Sequence, residues 1–289
     1  MAINASAANQ IFAYTAFTKA EDLLSALNPA NARWMNAPGK WVFRGQKLAQ
    51  WDLSPSILRK NILQKFKEAQ PLLPKDLTKN PLDEDVGQLL LECELTLVQQ
   101  FYELADRSGL SMPEVGERVR DFRYLRTVKH DIKRHILPSD SRIFNWPPRE
   151  ISSLFGLAQH YGIPTRLLDW TWRPRVAAYF AAVKAAIGTA SSDDLAIWAL
   201  RTDFITDTFV LLFESSDPPI DPEHNPRLSL VTAPQSTNPN LRAQAGLFVT
   251  DSNVLNSMPL NDLIIQKAED NLNADSGWFS TISRKYPAL

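Results

Sequence analysis

The sequence predicts an α+β fold with a mixed or antiparallel β core, on three observations. Helix-like periodicity crowds the front of the chain, strand-like runs crowd its back, and the two do not alternate as βαβ units would. The chain has 289 residues and hydrophobic types make up 44% of them, enough to bury a sizeable core. No linker is long or polar enough to divide it. We therefore read residues 1–289 as one domain, with residues 55–145 a helical insertion after the first strand.

The elements follow in chain order. "TKAEDLLSAL" (18–27) predicts a short helix, with Thr18 as N-cap and Glu21 at capping-box spacing. "KWVFRGQ" (40–46) is apolar, β-branched and aromatic, and predicts a buried strand stopping at Gly45. A basic helix is expected around "ILRKNILQKFKEAQ". Leu91, Leu95, Val98, Tyr102 and Ala105 fall on one face of a 3.6-residue period and predict a longer helix. Residues 116–136 are basic and broken, and "NWPP" (145–148) reads as a turn. "REISSLFGLAQHYG" predicts a helix closed by Gly162. "TRLLDW" (165–170) predicts a strand, and Pro174 suits the first turn of a helix starting near residue 171. In that helix Val176, Phe180, Val183 and Ile187 share one side. Strands are expected at 195–200, 208–213, 228–233 and 245–250, while "MPLNDLIIQKA" fits strand or helix.

Charge and cysteine usage narrow the function classes. Lys and Arg number 31 against 32 Asp and Glu, so no global field draws the protein to nucleic acid or anionic lipid. The single Cys93 excludes an intramolecular disulfide and a four-Cys zinc site, and it reads as a small apolar core residue. The N-terminal stretch lacks the features of a secretory signal, and no run of apolar residues is long enough for a membrane span. A cytoplasmic protein with no membrane partner is expected. His130 and His135 have no glutamate pattern between them, so no metal is expected.

Two stretches carry chemistry. In "FRGQ", Arg44 stands at a strand end, and its guanidinium matches the geometry of phosphate or carboxylate. Gly45 would let backbone approach a ligand. The plain alternative is an Arg paired with a structural carboxylate. In "AQHYGIPTRLLDWTWRPRVAAYFAA", a turn, a strand, a polar knot and a helix N-terminus follow one another. Asp169, Thr171 and Arg173 would gather at the positive end of the new helix, an anion site in waiting. Trp170 and Trp172 offer flat surfaces for a ring or for the core. His160, at the end of the preceding helix, is a proton donor, an anion ligand or a helix-terminal residue favoured by the dipole. Arg166 and Asp169 alternatively form an internal ion pair that fixes the junction.

These residues are similar to those of FRG domain proteins of bacteria and phages. The likeness lies in "WVFRGQ" with "WDLSPSILR", in "LAQHYGIPTRLLDWTWRPRVAAYFA", and in "NLRAQAGLF" (240–248). The same three blocks resemble the three motifs of ADP-ribosyltransferases: an NAD-anchoring Arg at a strand end, a Ser-Thr-Ser-like strand before a Pro and an Ala/Phe-rich helix, and a strand preceded by a catalytic Glu. The resemblance implies the fold of that superfamily, with NAD as substrate. It implies Arg44, Gly45, Gln46, Arg166, Trp170 and Thr171 as the residues around the nucleotide, and Asp169, Gln244 and His160 as the catalytic set. Two motifs depart from the pattern: Asp169 and Trp170 stand where Ser and Thr are usual in the second, and Gln244 stands where Glu is in the third. The reaction passes through an oxocarbenium-like ribosyl cation that a carboxylate stabilises, so Asp169 is the nearest replacement for the missing charge.

Three functions compete. The first is an NAD-using enzyme that transfers ADP-ribose to a protein or nucleic-acid acceptor or cleaves NAD, which the resemblance sets among toxins and phage-defence effectors. The second is a non-catalytic module that binds a nucleotide or phosphate in the same cleft and signals to a partner. Arg-rich "ERVRDFRYLR" and "HDIKRH" would add phosphate contacts or form a solvated face. The third is a metal-dependent nuclease on Asp169, for which Asp193, Asp194 and Glu214 offer no recognisable spacing.

Overall fold

In the computed structural model, the described residues are 13–36, 39–59, 62, 84–112, 146–147, 149–187, 194–202, 228–233, 238–251 and 258–264. In order they form α1 (Ala20–Ala26), α2 (Ala32–Met35), β1 (Trp41–Gln46), a 3-10 turn (Ser56–Leu58), α3 (Glu84–Arg107) and α4 (Arg149–His160). Then come β2 (Leu168–Thr171), α5 (Pro174–Ile187), β3 (Ala196–Arg201), β4 (Leu228–Val231), α6 (Pro239–Gln244) and β5 (Gly246–Asp251). The basic helix expected around 57–70 lies mostly outside the described residues, its start being the 3-10 turn, and the broken segment 116–136 and the strand at 208–213 lie wholly outside them. Among the described residues, no helix is long and apolar enough to cross a membrane.

The five strands make one open antiparallel sheet in the order β3-β1-β2-β5-β4, as the α+β reading requires. β1 pairs with β3 over six residues, Trp41↔Arg201 to Gln46↔Ala196. β1 and β2 share only Phe43↔Thr171, so the ladder opens at the middle of the sheet. β2 then pairs with β5 from Leu168↔Val249 to Thr171↔Gly246.

Strand alternation sends side chains to two cores. Val42, Leu168, Trp170, Leu247 and Val249 pack on one face with Leu53, Leu260 and Leu263. The other face joins Phe248 and Val231 to α3 and α4 through Leu91, Leu95, Val98, Tyr102, Leu154 and Phe155. The predicted apolar stripe of α3 is therefore the buried one, and it belongs to the main core. Gly156 of α4 sits under Phe248: an added Cβ would lie 2.8 Å from Phe248 Cε2. Helix propensity favours Ala there by about 1 kcal/mol, but overpacking costs about 1–3 kcal/mol. Gly156→Ala should therefore lower stability by up to about 2 kcal/mol, measured as a shift in urea midpoint.

Four local expectations are corrected. α1 is capped by Lys19, not Thr18, and receives no side-chain cap bond. β1 continues through Gly45 to Gln46, because β3 pairs with it to the end. β2 begins only at Leu168: Thr165 and Arg166 turn inward, where Ser56 and Glu94 bind their backbone. The buried side of α5 carries Ala177 and Ala181, while Phe180 is 44% exposed. The cause is Gly45. Its missing Cβ would stand 1.9 Å from the carbonyl oxygen of Ala177 and 2.8 Å from the nitrogen of Ala181. With so little space only small residues fit the contact, and the large ones turn outward. Residues 260–264, read as strand or helix, are helical. They are tied to the loop after β1 by Leu260 N–H donating to the Leu53 carbonyl at 3.0 Å. The Asn261 side chain returns a bond, accepting from Leu53 N–H at 2.8 Å.

Candidate functional site

The opening between β1 and β2 is where the two chemical stretches meet. Arg44 extends from β1 and its Nη1 donates to the backbone carbonyl of Asp169 at 2.7 Å. The same nitrogen lies 3.7 Å from the Asp169 carboxylate. The guanidinium thus does what a ladder N–H would do, across 125 residues of sequence. Arg44 keeps 11% of its side-chain exposure and Asp169 keeps 61%. Arg44 Nε is buried and has no hydrogen-bond partner among the described residues. Burial pulls the Arg44 guanidinium below its ordinary value, and Asp169 opposes that pull. Arg59, from the 3-10 turn, adds to the lowering.

His160 closes α4, and Gly162 follows in the left-handed region at φ 89°. Partial burial holds the His160 imidazole below its usual range, while Asp169 pulls it up. With the net shift downward from 6.5, His160 is mostly neutral at pH 7 and able to accept a proton.

Thr171 binds the sheet to both neighbouring helices. Its hydroxyl donates to the Gln244 carbonyl at 2.6 Å and accepts from Arg173 N–H at 3.1 Å, just ahead of α5. Trp172 N–H donates to the Ala245 carbonyl at 3.1 Å. Ala245 caps α6 in the left-handed conformation, φ 44°, which turns the chain into β5. So Gln244 stands beside Thr171, and the structure shows its backbone engaged there.

The predicted residues therefore divide. Arg44 and Asp169 are in contact, His160 feels the charge of Asp169, and Thr171 and Gln244 are linked beside them. Gly45 seats α5 against β1; the neighbour it admits is protein backbone. Gln46 is 5% exposed, donating to the Asp52 carbonyl at 3.1 Å and accepting from Trp198 Nε1 at 2.7 Å. Trp170 is 4% exposed and packs in the core, so it presents no stacking face. Arg166 is paired inside the protein with Glu94, not with Asp169, at 3.3 Å. Burial keeps these three side chains from solvent.

Sequence reading missed Glu94, although an acid amid "LLLECELTL", flanked by core Leu91 and Leu95, is a signal of a buried partner. It also missed a groove of about 660 Å³ beside the start of α5, lined by Trp34, Trp41, Phe43, Trp172 and Arg175 among others. Trp34 meets Trp41 and Phe43 edge to face at 5.2 and 5.1 Å. Two Trp seven residues apart around "NAPG" were the available clue. Among the described residues, no group of three His, Cys, Asp or Glu could hold a metal ion.

These features define an α+β protein whose sheet opens between two motif-bearing strands over an Arg–Asp contact. The family model of the FRG domain matches residues 116–188, a segment that includes α4, β2 and α5. No curated protein and no solved structure matches the chain. The matched segment ends before Gln244 and begins after "FRGQ", yet both lie beside it in space. The Phe-Arg-Gly run then has three tasks: Phe43 walls the groove, Arg44 holds Asp169, and Gly45 admits α5.

Proposed function

We propose that this protein binds NAD at the Arg44–Asp169 centre and breaks the bond between nicotinamide and ribose. ADP-ribose then passes to a macromolecular acceptor or to water. The observation that supports the reading is the side-by-side placement of β1, β2 and β5, with Arg44 and Asp169 in contact. The three strands that resemble the three motifs of ADP-ribosyltransferases are neighbours, as a shared site demands.

The chemistry follows from the charges. Nicotinamide leaves with the electrons of the C–N bond, and positive charge develops on the ribose. Asp169, exposed and charge-paired on one side only, is the carboxylate to face that charge. Arg44 positions it through the backbone bond and balances its charge. Neutral His160 takes the proton from the attacking acceptor or water. Gln244, uncharged, supplies hydrogen bonds at the ribose.

Incubation with labelled NAD tests this. Nicotinamide release is the expected result, and Asp169→Asn should slow it by about 100-fold or more, because the charge goes while the shape stays. Absence of release, or a rate indifferent to Asp169→Asn, would count against the reading. Calorimetric binding of NAD without turnover would instead favour a non-catalytic nucleotide module, which the neutral Gln244 would suit.

A further inference from the structure

The groove beside α5 is separate from the Arg44–Asp169 centre, since none of Arg44, His160, Asp169, Thr171 or Gln244 lines it. Its described walls are aromatic, aliphatic and cationic, with no acidic residue. Trp34 and Trp41 have their indole N–H groups bonded to the Ala26 carbonyl and the Asn36 side chain, which fixes the rings. Trp172 is 38% exposed and lies on the rim. Arg173 reaches the Ala243 carbonyl at 3.3 Å with one nitrogen, and Arg175 is exposed with no ion pair among the described residues. Arg33 and Arg201 lie over the Trp34 and Trp41 rings at 5.9 and 5.8 Å. Two Arg thus line the groove and two more lie over its Trp rings, in a chain whose net charge is −1.

From this we infer that the groove binds single-stranded nucleic acid, with bases stacked on Trp172 and Trp34 and phosphates on Arg173 and Arg175. Flat rings serve any base, and flanking guanidinium groups track the backbone. The volume, about 660 Å³, is within the range of small-ligand sites and suits a short stretch of strand. Charge complementarity selects this occupant over an apolar or Pro-rich peptide, which would bring no anion to Arg173 and Arg175.

The test is an anisotropy titration of fluorescein-labelled oligo-dT and oligo-rA with the full chain, at several salt concentrations and without NAD. Binding is expected, with a log–log salt slope near about −1.4, the value for two phosphate contacts on a single strand. Trp172→Ala should weaken it by about fivefold or more, the loss of one stacked base. Arg175→Glu should weaken it further and flatten the slope. Both positions are exposed, so folding is not at stake; circular dichroism of each variant checks that. No binding, equal binding of a duplex, indifference to both substitutions, or binding of a Pro-rich peptide in its place would overturn the inference. A failed titration leaves the NAD reading standing, and a failed NAD assay does not alter the titration.

Discussion

Gly45→Ala loses about 3 kcal/mol of stability or more, seen as a large fall in urea midpoint or as failure to accumulate folded protein. The methyl group would lie 1.9 Å from the Ala177 carbonyl oxygen, well inside contact distance. The obstacle is backbone, so no rotamer change relieves it. Either α5 lifts from β1, exposing Phe43 and Ala181, or the β1–β3 ladder bends. Overpacking typically costs about 1–3 kcal/mol where side chains can yield, and here none can. Gly246→Ala is the control. A Cβ there meets nothing closer than 3.8 Å, so the change should stay within about 1 kcal/mol. Equal losses at the two glycines would mean that chain flexibility, and not the helix–strand contact, sets the cost.

Breaking the Glu94–Arg166 pair is the second large effect. Glu94 is fully buried, its Oε1 accepting from Arg166 N–H at 2.7 Å and its Oε2 lying 3.3 Å from Arg166 Nε. Burial raises the Glu94 carboxyl to about 7, against the opposing pull of Arg166. Removing one partner leaves the other as a stranded charge in the core or forces it to neutralise, and costs about 3–5 kcal/mol. Glu94→Leu and Arg166→Met should each show this, while the double substitution should recover most of the loss, in a denaturant-unfolding cycle. The pH dependence separates the two. In Arg166→Met the lone carboxyl is raised further, so the folded state holds a proton that the unfolded chain releases above about 4.5. Stability of that variant should fall as pH rises from 4.5 toward 7 and above, by at most about 1.4 kcal/mol per pH unit. Glu94→Leu should lack that slope. A double variant no more stable than the singles would assign the cost to lost shape and not to stranded charge.

Much of the secondary structure was legible because periodicity reports burial directly. The stripe of α3, the Gly162 stop after α4, and strands β1, β3, β4 and β5 all appear where the sequence placed them. The Phe-Arg-Gly run and the Asp-Trp-Thr run were also recognisable as the polar points of the chain. Arg44 and Asp169, 125 residues apart in sequence, do meet.

Partnership was not legible. Local spacing made Arg166 and Asp169 look like a pair, yet Arg166 turns inward before β2 begins while Asp169 stays exposed on it, and each found a partner far along the chain. Phe180 looked like core because α5 is apolar on more than one side, and only the close approach of β1 at Gly45 selects Ala177 and Ala181 to face inward. Trp170 and Trp172, two residues apart, differ in the same way: one fills the core and the other rims a groove. Composition and period determined which segments are helix or strand and which residues carry charge. Which charges meet, which rings stay accessible and where a cavity forms depend on contacts between residues distant in sequence, and packing of the sheet against its helices decides those.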